Sequence, residues 1–143
     1  MSSKLIPNLG ATNFGSWINY TPTNSGITVG NGTQTARYTE VGKMVTVSYK
    51  FILGSTSSVS GAVTIGLPFA IVNNMVATCA VITTDVGAAT YTSMGFSDST
   101  IGGVLIRPVK TNATYGTWDD NLGGAFTWAT SDNIYFTITY EKV

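Results

Sequence analysis

The stretch 30–51, GNGTQTARYTEVGKMVTVSYKF, constrains this chain more than any other feature, because apolar and polar residues alternate regularly over residues 45–51. The alternation has the period of a strand that is buried on one face only. Gly42-Lys43 fits a two-residue type II′ turn, which requires a residue that tolerates positive φ at its first central position. Counting back from that turn predicts a hairpin in which Tyr38 pairs with Val47 and shares its apolar face. The apolar positions of the second strand are Val45, Val47, Tyr49 and Phe51.

The rest of the chain shows the same pattern in shorter pieces. The closing stretch 132–143, DNIYFTITYEKV, alternates again, and no stretch of eleven or more residues has the period of a helix. Many short strands between Gly, Ser and Asn clusters are typical of antiparallel sandwiches and barrels. We therefore expect an all-β, antiparallel, jelly-roll-like β-sandwich of about eight strands. Residues 17–143 form this single domain, and residues 1–16 form a short extended N-terminal arm.

Charge is scarce, at 10% of residues, with seven Lys and Arg balanced by seven Asp and Glu. Binding to phosphates or to anionic lipid needs clustered basic residues. The sequence therefore predicts no nucleic-acid partner and no membrane partner. It also contains no apolar run long enough to cross a bilayer and no recognisable secretory signal.

Most enzymatic chemistry is excluded by what the sequence lacks. Without any histidine there is no Ser-His-Asp or Cys-His arrangement, and the single Cys79 can form neither an internal disulfide nor a cysteine-rich metal site. We predict no cofactor, no metal and no catalytic residues. Hydrolysis of a glycan by Asp119 or Asp120 ranks last among the hypotheses, because adjacent strand residues point to opposite faces.

An aromatic and acidic segment is the best candidate for ligand contact. Aromatic rings stack on the apolar faces of sugars, and nearby carboxylate and amide groups can take their hydroxyls. The competing interpretations are that the Asp-Asp-Asn sequence is a turn bonded to its own backbone, and that Phe126 and Trp128 belong to the core. The candidate glycan contacts are Tyr115, Trp118, Asp119, Asp120 and Asn121.

The strand over residues 76–82 is apolar on both faces. A small sandwich has one core and buries one face of each strand, so the other face needs a cover. Either a loop or a second subunit could supply it, and low charge suits the core of an interface. The candidate interface residues are Ala77, Cys79 and Val81.

Residues 16–68 resemble a module found in proteins on the surface of tailed bacteriophages, and the Tyr-rich closing strand at 134–141 extends the resemblance. The match consists of many short signals in the right order, none of them unique alone. They are Trp17, Tyr20-Thr21-Pro22, Gly30 and Gly32, Ala36-Arg37-Tyr38, Val41-Gly42-Lys43, Val45-Thr46-Val47, Gly54-Ser55-Thr56 and Leu67-Pro68.

The resemblance implies a β-sandwich that assembles as a homotrimer and brings no catalytic residues. Its settings are tail-fibre tips, tail spikes, minor tail proteins and small capsid decorations. Because only about fifteen residues precede the module, we expect a capsid decoration or head-spike protein anchored through its arm to the major capsid protein. The alternative is a tail-fibre tip or minor tail protein that binds host surface polysaccharide. Either way, the expected location is the virion.

Overall fold

In the part of the chain that the structure describes, nine antiparallel strands form one continuous curled sheet. The computed structural model describes residues 15–109 and 118–143, and among these the one helical segment is a single 3₁₀ turn at Leu122–Gly124. The strands are β1 (Ile18–Asn19), β2 (Asn24–Thr28), β3 (Thr33–Val41), β4 (Met44–Ile52), β5 (Ser58–Gly66), β6 (Val76–Asp85), β7 (Ala89–Asp98), β8 (Gly103–Pro108) and β9 (Asn133–Glu141).

The strand order is β1-β3-β4-β9-β6-β7-β8-β5-β2. Strands β1 and β2 lie at opposite edges yet are consecutive in the chain, so residues 20–23 must bridge the two edges. The Tyr20 hydroxyl donates to the carbonyl of Gly66 at 3.1 Å, and the Gly66 N–H donates to the carbonyl of Thr23 at 3.0 Å. The all-β, antiparallel prediction is confirmed. The two-layer jelly-roll arrangement is not, because the strands hydrogen-bond in one unbroken order.

The register predicted for the 30–51 hairpin is confirmed. Val41 pairs with Met44 and Tyr38 pairs with Val47, and all nine residues of β3 have partners in β4. Gly42 has a φ of +60°, while Lys43 is not among the positive-φ residues, as a type II′ turn requires. Local turn chemistry and one-sided burial therefore determine this part of the fold together.

The core fills the inner side of the curled sheet. On β4 the four predicted apolar residues are at most 1% exposed, and on β9 the alternate residues from Ile134 to Tyr140 are buried. The rings of Tyr49 and Phe136 stack across these neighbouring strands with centroids 5.2 Å apart. Inner and outer sides of each strand can therefore be assigned from burial alone.

Gly95 on β7 allows the side chains of the neighbouring strands β6 and β8 to pack close to the β7 backbone. A Cβ atom at this position would lie 2.6 Å from the Cys79 sulfur on β6 and 2.8 Å from a methyl carbon of Val104 on β8. Such distances are too short for carbon, so any larger residue would force these strands apart. The absence of a side chain at Gly95 thus makes room for the side chains of Cys79 and Val104 in the core.

The stretch 85–103 has no regular alternation of apolar residues, yet it contains the ten-residue β7. Its inward positions are the small residues Ser93, Gly95 and Ser97, so no apolar alternation points to the core. The N-terminal arm, residues 1–16, lies outside the described residues except for Gly15 and Ser16.

Candidate functional site

The described part of the aromatic and acidic segment begins at Trp118, because Tyr115 lies outside the described residues. Trp118 is 40% exposed and forms a single antiparallel bridge with Val109. The backbone N–H of Asp119 donates to the carbonyl of Pro108 at 2.8 Å. These backbone contacts attach the start of the segment to the end of β8 and so determine its position beside that strand.

Asp119 and Asn121 serve the local turn. An Asp119 carboxylate oxygen accepts from the N–H of Asn121 at 3.1 Å, and the Asn121 side-chain oxygen accepts from the N–H of Gly124 at 3.0 Å. The second bond caps the 3₁₀ turn in the way that Asn caps helix starts. The interpretation of Asp-Asp-Asn as a turn bonded to its own backbone is confirmed.

Asp120 has a different partner. Its carboxylate forms an ion pair with the guanidinium of Arg107 on β8, and that guanidinium lies 4.8 Å from the centre of the Phe96 ring. Asp119 and Asp120 are thus engaged in separate contacts. Both ion-pair partners are substantially exposed, so the pair contributes little stability and mainly orients Arg107 over β7.

Three aromatic rings form a stack beside this segment. Phe126 lies between Tyr91 and Trp128, with ring centroids 5.2 Å and 4.2 Å apart. Trp128 packs against the core and donates from its indole nitrogen to the carbonyl of Leu122 at 3.2 Å. The core interpretation is therefore confirmed for Trp128, whereas Phe126 mainly connects it to the exposed ring of Tyr91.

A groove of about 660 Å³ opens next to the stack. Tyr91, Thr90 and Thr92 of β7 form one wall, and Asp119 and Asn121 form part of the other. Asp120 is not among its lining residues. Of the four predicted glycan contacts among the described residues, the structure therefore brings Asp119 and Asn121 to a groove. It adds Tyr91, which sequence reasoning missed because it lies far away in the chain.

The strand over residues 76–82, which is apolar on both faces, forms part of β6, and its neighbouring strands show which face is buried. Ala77 and Val81 are buried in the core, and Cys79 packs against it. Burial raises the pKa of the Cys79 thiol to about 11, which makes it a poor nucleophile. The assignment of Ala77, Cys79 and Val81 to a subunit interface is therefore corrected, because these residues face the chain's own interior.

The opposite side of β6 belongs to an apolar surface that we call the β6–β8 outer face. Strand register places Ala80 beside Met94 and Phe96 beside Leu105. Val76, at the start of β6, is 60% exposed, and none of this surface packs against the core. The β6–β8 outer face consists of Val76, Ala80, Ile82, Met94, Phe96 and Leu105, and the polar residues Thr78 and Arg107 occupy outward positions among them.

No family model, curated protein or solved structure matches this chain. Within residues 15–109 and 118–143 there is no group of three or more side chains suited to hold a metal ion. The same residues include no helix that is long and apolar enough to cross a membrane.

Proposed function

We propose that the protein is a non-enzymatic structural protein on the surface of a tailed bacteriophage particle, where it forms a homotrimeric capsid decoration or head spike. The observation that carries the proposal is the β6–β8 outer face. Contiguous apolar patches on a soluble domain usually mark interaction sites. A patch that covers three adjacent strands of a rigid sheet suits lasting assembly.

The composition of the outer surface supports assembly with other virion subunits. Apart from apolar residues, the outer positions of β4 and β9 are mainly Thr and Ser, with Lys50 and Glu141 towards the two ends. Interface cores are depleted in charged residues, and a neutral surface brings little desolvation cost when it is covered. The same features would leave an isolated domain with little charge to prevent association.

The bacteriophage setting rests on the motif order in residues 16–68. The Val-Gly-Lys signal of that module occupies the hairpin turn between β3 and β4, and the Leu-Pro signal follows directly after β5. These two signals fall at a turn and a strand end, where backbone geometry constrains residue type. The signals Ala36-Arg37-Tyr38 and Val45-Thr46-Val47 lie within β3 and β4.

The copy number of the protein in purified virions tests the proposal. Quantitative mass spectrometry of particles from the phage that encodes this chain should find hundreds of copies, in a multiple of three per capsid symmetry unit. A few copies per particle would instead indicate a tail location. Absence of the protein from purified particles would overturn the proposal.

A second candidate function is binding of host surface polysaccharide, and the groove beside Tyr91 favours it. Tyr91 is 42% exposed next to carboxylate, amide and hydroxyl groups of Asp119, Asn121 and Thr92. An exposed ring beside such groups offers the mixture of apolar and hydrogen-bonding contacts that sugars require. In this case the protein is a receptor-binding tail component.

Replacing the exposed ring tests this second candidate. If the groove binds polysaccharide purified from the host cell surface, Tyr91→Ala should weaken binding about tenfold, equivalent to about 1.4 kcal/mol. Tyr135→Ala is a matched control, because Tyr135 is 41% exposed on the outer side of β9. Equal affinity of Tyr91→Ala and wild type by calorimetry would rule the groove out.

A further inference from the structure

The β3–β4 hairpin carries basic charge on its outer side. The outward positions of these strands include Arg37, Thr35, Thr46, Ser48 and Lys50, and we call this surface the β3–β4 outer face. Its charged residues are Arg37 and Lys50. The Arg37 guanidinium lies 4.7 Å from the centre of the Trp17 ring, which holds it over the hairpin. Apart from Val41 and Met44 beside the turn, which are about half exposed, this side of the hairpin is therefore polar and positive.

The β6–β8 outer face has the opposite sign at its edge. Arg107 is neutralised by Asp120, which leaves Asp98 at the outward end of β7. One Asp98 carboxylate oxygen accepts from the hydroxyl and the N–H of Thr100 at 2.7 Å and 2.8 Å, and from the N–H of Ile101 at 3.0 Å. These bonds hold the pKa of Asp98 below its usual range. Like any aspartate that is accessible to solvent, Asp98 is ionised at neutral pH.

We infer that the β6–β8 outer face of one copy packs against the β3–β4 outer face of the next copy, head to tail. A contact between the β3–β4 outer faces of two copies would bring Arg37 and Lys50 against the same two cations of the other copy. The head-to-tail contact brings them towards Asp98 instead. Like-charge contacts at interfaces are costly and opposite charges fix the register.

The same contact covers the apolar surface. The occupant of the β6–β8 outer face is then the threonine-rich and serine-rich side of the hairpin, which contributes methyl groups and short hydroxyls. Because the two contacting surfaces differ, such contacts form a closed ring when the rotation between copies divides a full turn. This inference rests on the proposed trimer, for which that rotation is a third of a turn, and it adds which faces meet.

Chemical cross-linking between copies that carry different cysteine substitutions tests the inference. Ser48→Cys places a thiol in the middle of the β3–β4 outer face, and Ala80→Cys places one in the middle of the β6–β8 outer face. The full-length variants are expressed alone and together and are treated with a short bis-maleimide. Wild type, with Cys79 alone, measures background, and Thr130→Cys in an exposed loop, co-expressed with Ser48→Cys, controls for collision.

We expect roughly tenfold more cross-linked dimer from the co-expressed pair than from either variant alone, because each contact joins two different faces. Equal cross-linking in the single-variant samples would show that like faces meet and would overturn the inference. No cross-link in a sample that remains trimeric by light scattering would also overturn it, while leaving the trimer intact. A monomeric wild type would remove both the inference and the proposed trimer.

Discussion

Phe136→Ala should cost about 3–5 kcal/mol of unfolding free energy, which is the range for removing a large buried aromatic side chain. Phe136 is 4% exposed and lies on β9, the strand that joins the β3–β4 hairpin to β6. It stacks on Tyr49 across β4 and pairs with Val81 across β6. The substitution leaves a cavity where the two halves of the sheet meet.

Thr137→Ala is the matched control for this measurement. Thr137 follows Phe136 on the same strand but points to the outer side, where it is exposed. Surface substitutions of this kind change stability by about 0.5 kcal/mol or less. Chemical denaturation of the two variants should therefore differ by several kcal/mol. Similar midpoints would mean that β9 does not organise the core.

Alkaline pH should unfold the protein, because buried tyrosines cannot ionise while the chain is folded. Burial raises the pKa of Tyr140 to about 12, and raises the pKa values of Tyr20 and Tyr49 as well. In the unfolded chain tyrosines ionise near pH 10. A raised folded pKa means that this stability is fully present below pH 10 and is lost as pH rises towards the folded pKa.

The slope of the unfolding free energy against pH follows from the number of protons that the folded state retains and the unfolded state loses. Above pH 10, each tyrosine that stays protonated in the folded state lowers the free energy of unfolding by about 1.4 kcal/mol per pH unit. Tyr49 and Tyr140 are almost fully buried, so the free energy of unfolding should fall by about 3 kcal/mol per unit above pH 10. Tyr20 is partly exposed, and solvent screening makes its share smaller.

Denaturant titrations between pH 8 and pH 12, followed by tryptophan fluorescence, measure this slope. Tyr49→Phe removes one titrating hydroxyl and should lower the slope by about one proton. Tyr135→Phe, at an exposed tyrosine of β9, should retain the wild-type slope. A stability that stays constant from pH 9 to pH 12 would contradict the burial of the phenol groups in the core.

The strands that could be predicted are those in which the alternation of apolar and polar residues identifies one buried face. Residues 45–51 and β9 alternate regularly, and Gly42-Lys43 fixes one register for the 30–51 hairpin, so local information suffices there. Strand β7 could not be read in this way. Its inner residues are small because Gly95 must admit Cys79 and Val104, a requirement imposed by strands elsewhere in the chain.

The candidate sites show the same limit. An apolar pattern on both faces of β6 indicated a second covered surface, but only the neighbouring strands show that Ala77 faces inward and Ala80 outward. Likewise, the sequence identified the turn at Asp119 and Asn121. The contribution of Tyr91 could not be foreseen, because it depends on stacking against Phe126, some 35 residues further along the chain.

The native mass of the full-length protein tests the central claim, assembly through the β6–β8 outer face, most directly. Light scattering should give about 45 kDa for wild type, three times the 15.0 kDa of one chain. Phe96→Glu places a charge in that face without touching the core, so it should give 15.0 kDa with an unchanged circular dichroism spectrum. A wild-type mass of one chain, or a Phe96→Glu variant that remains trimeric, would contradict the account.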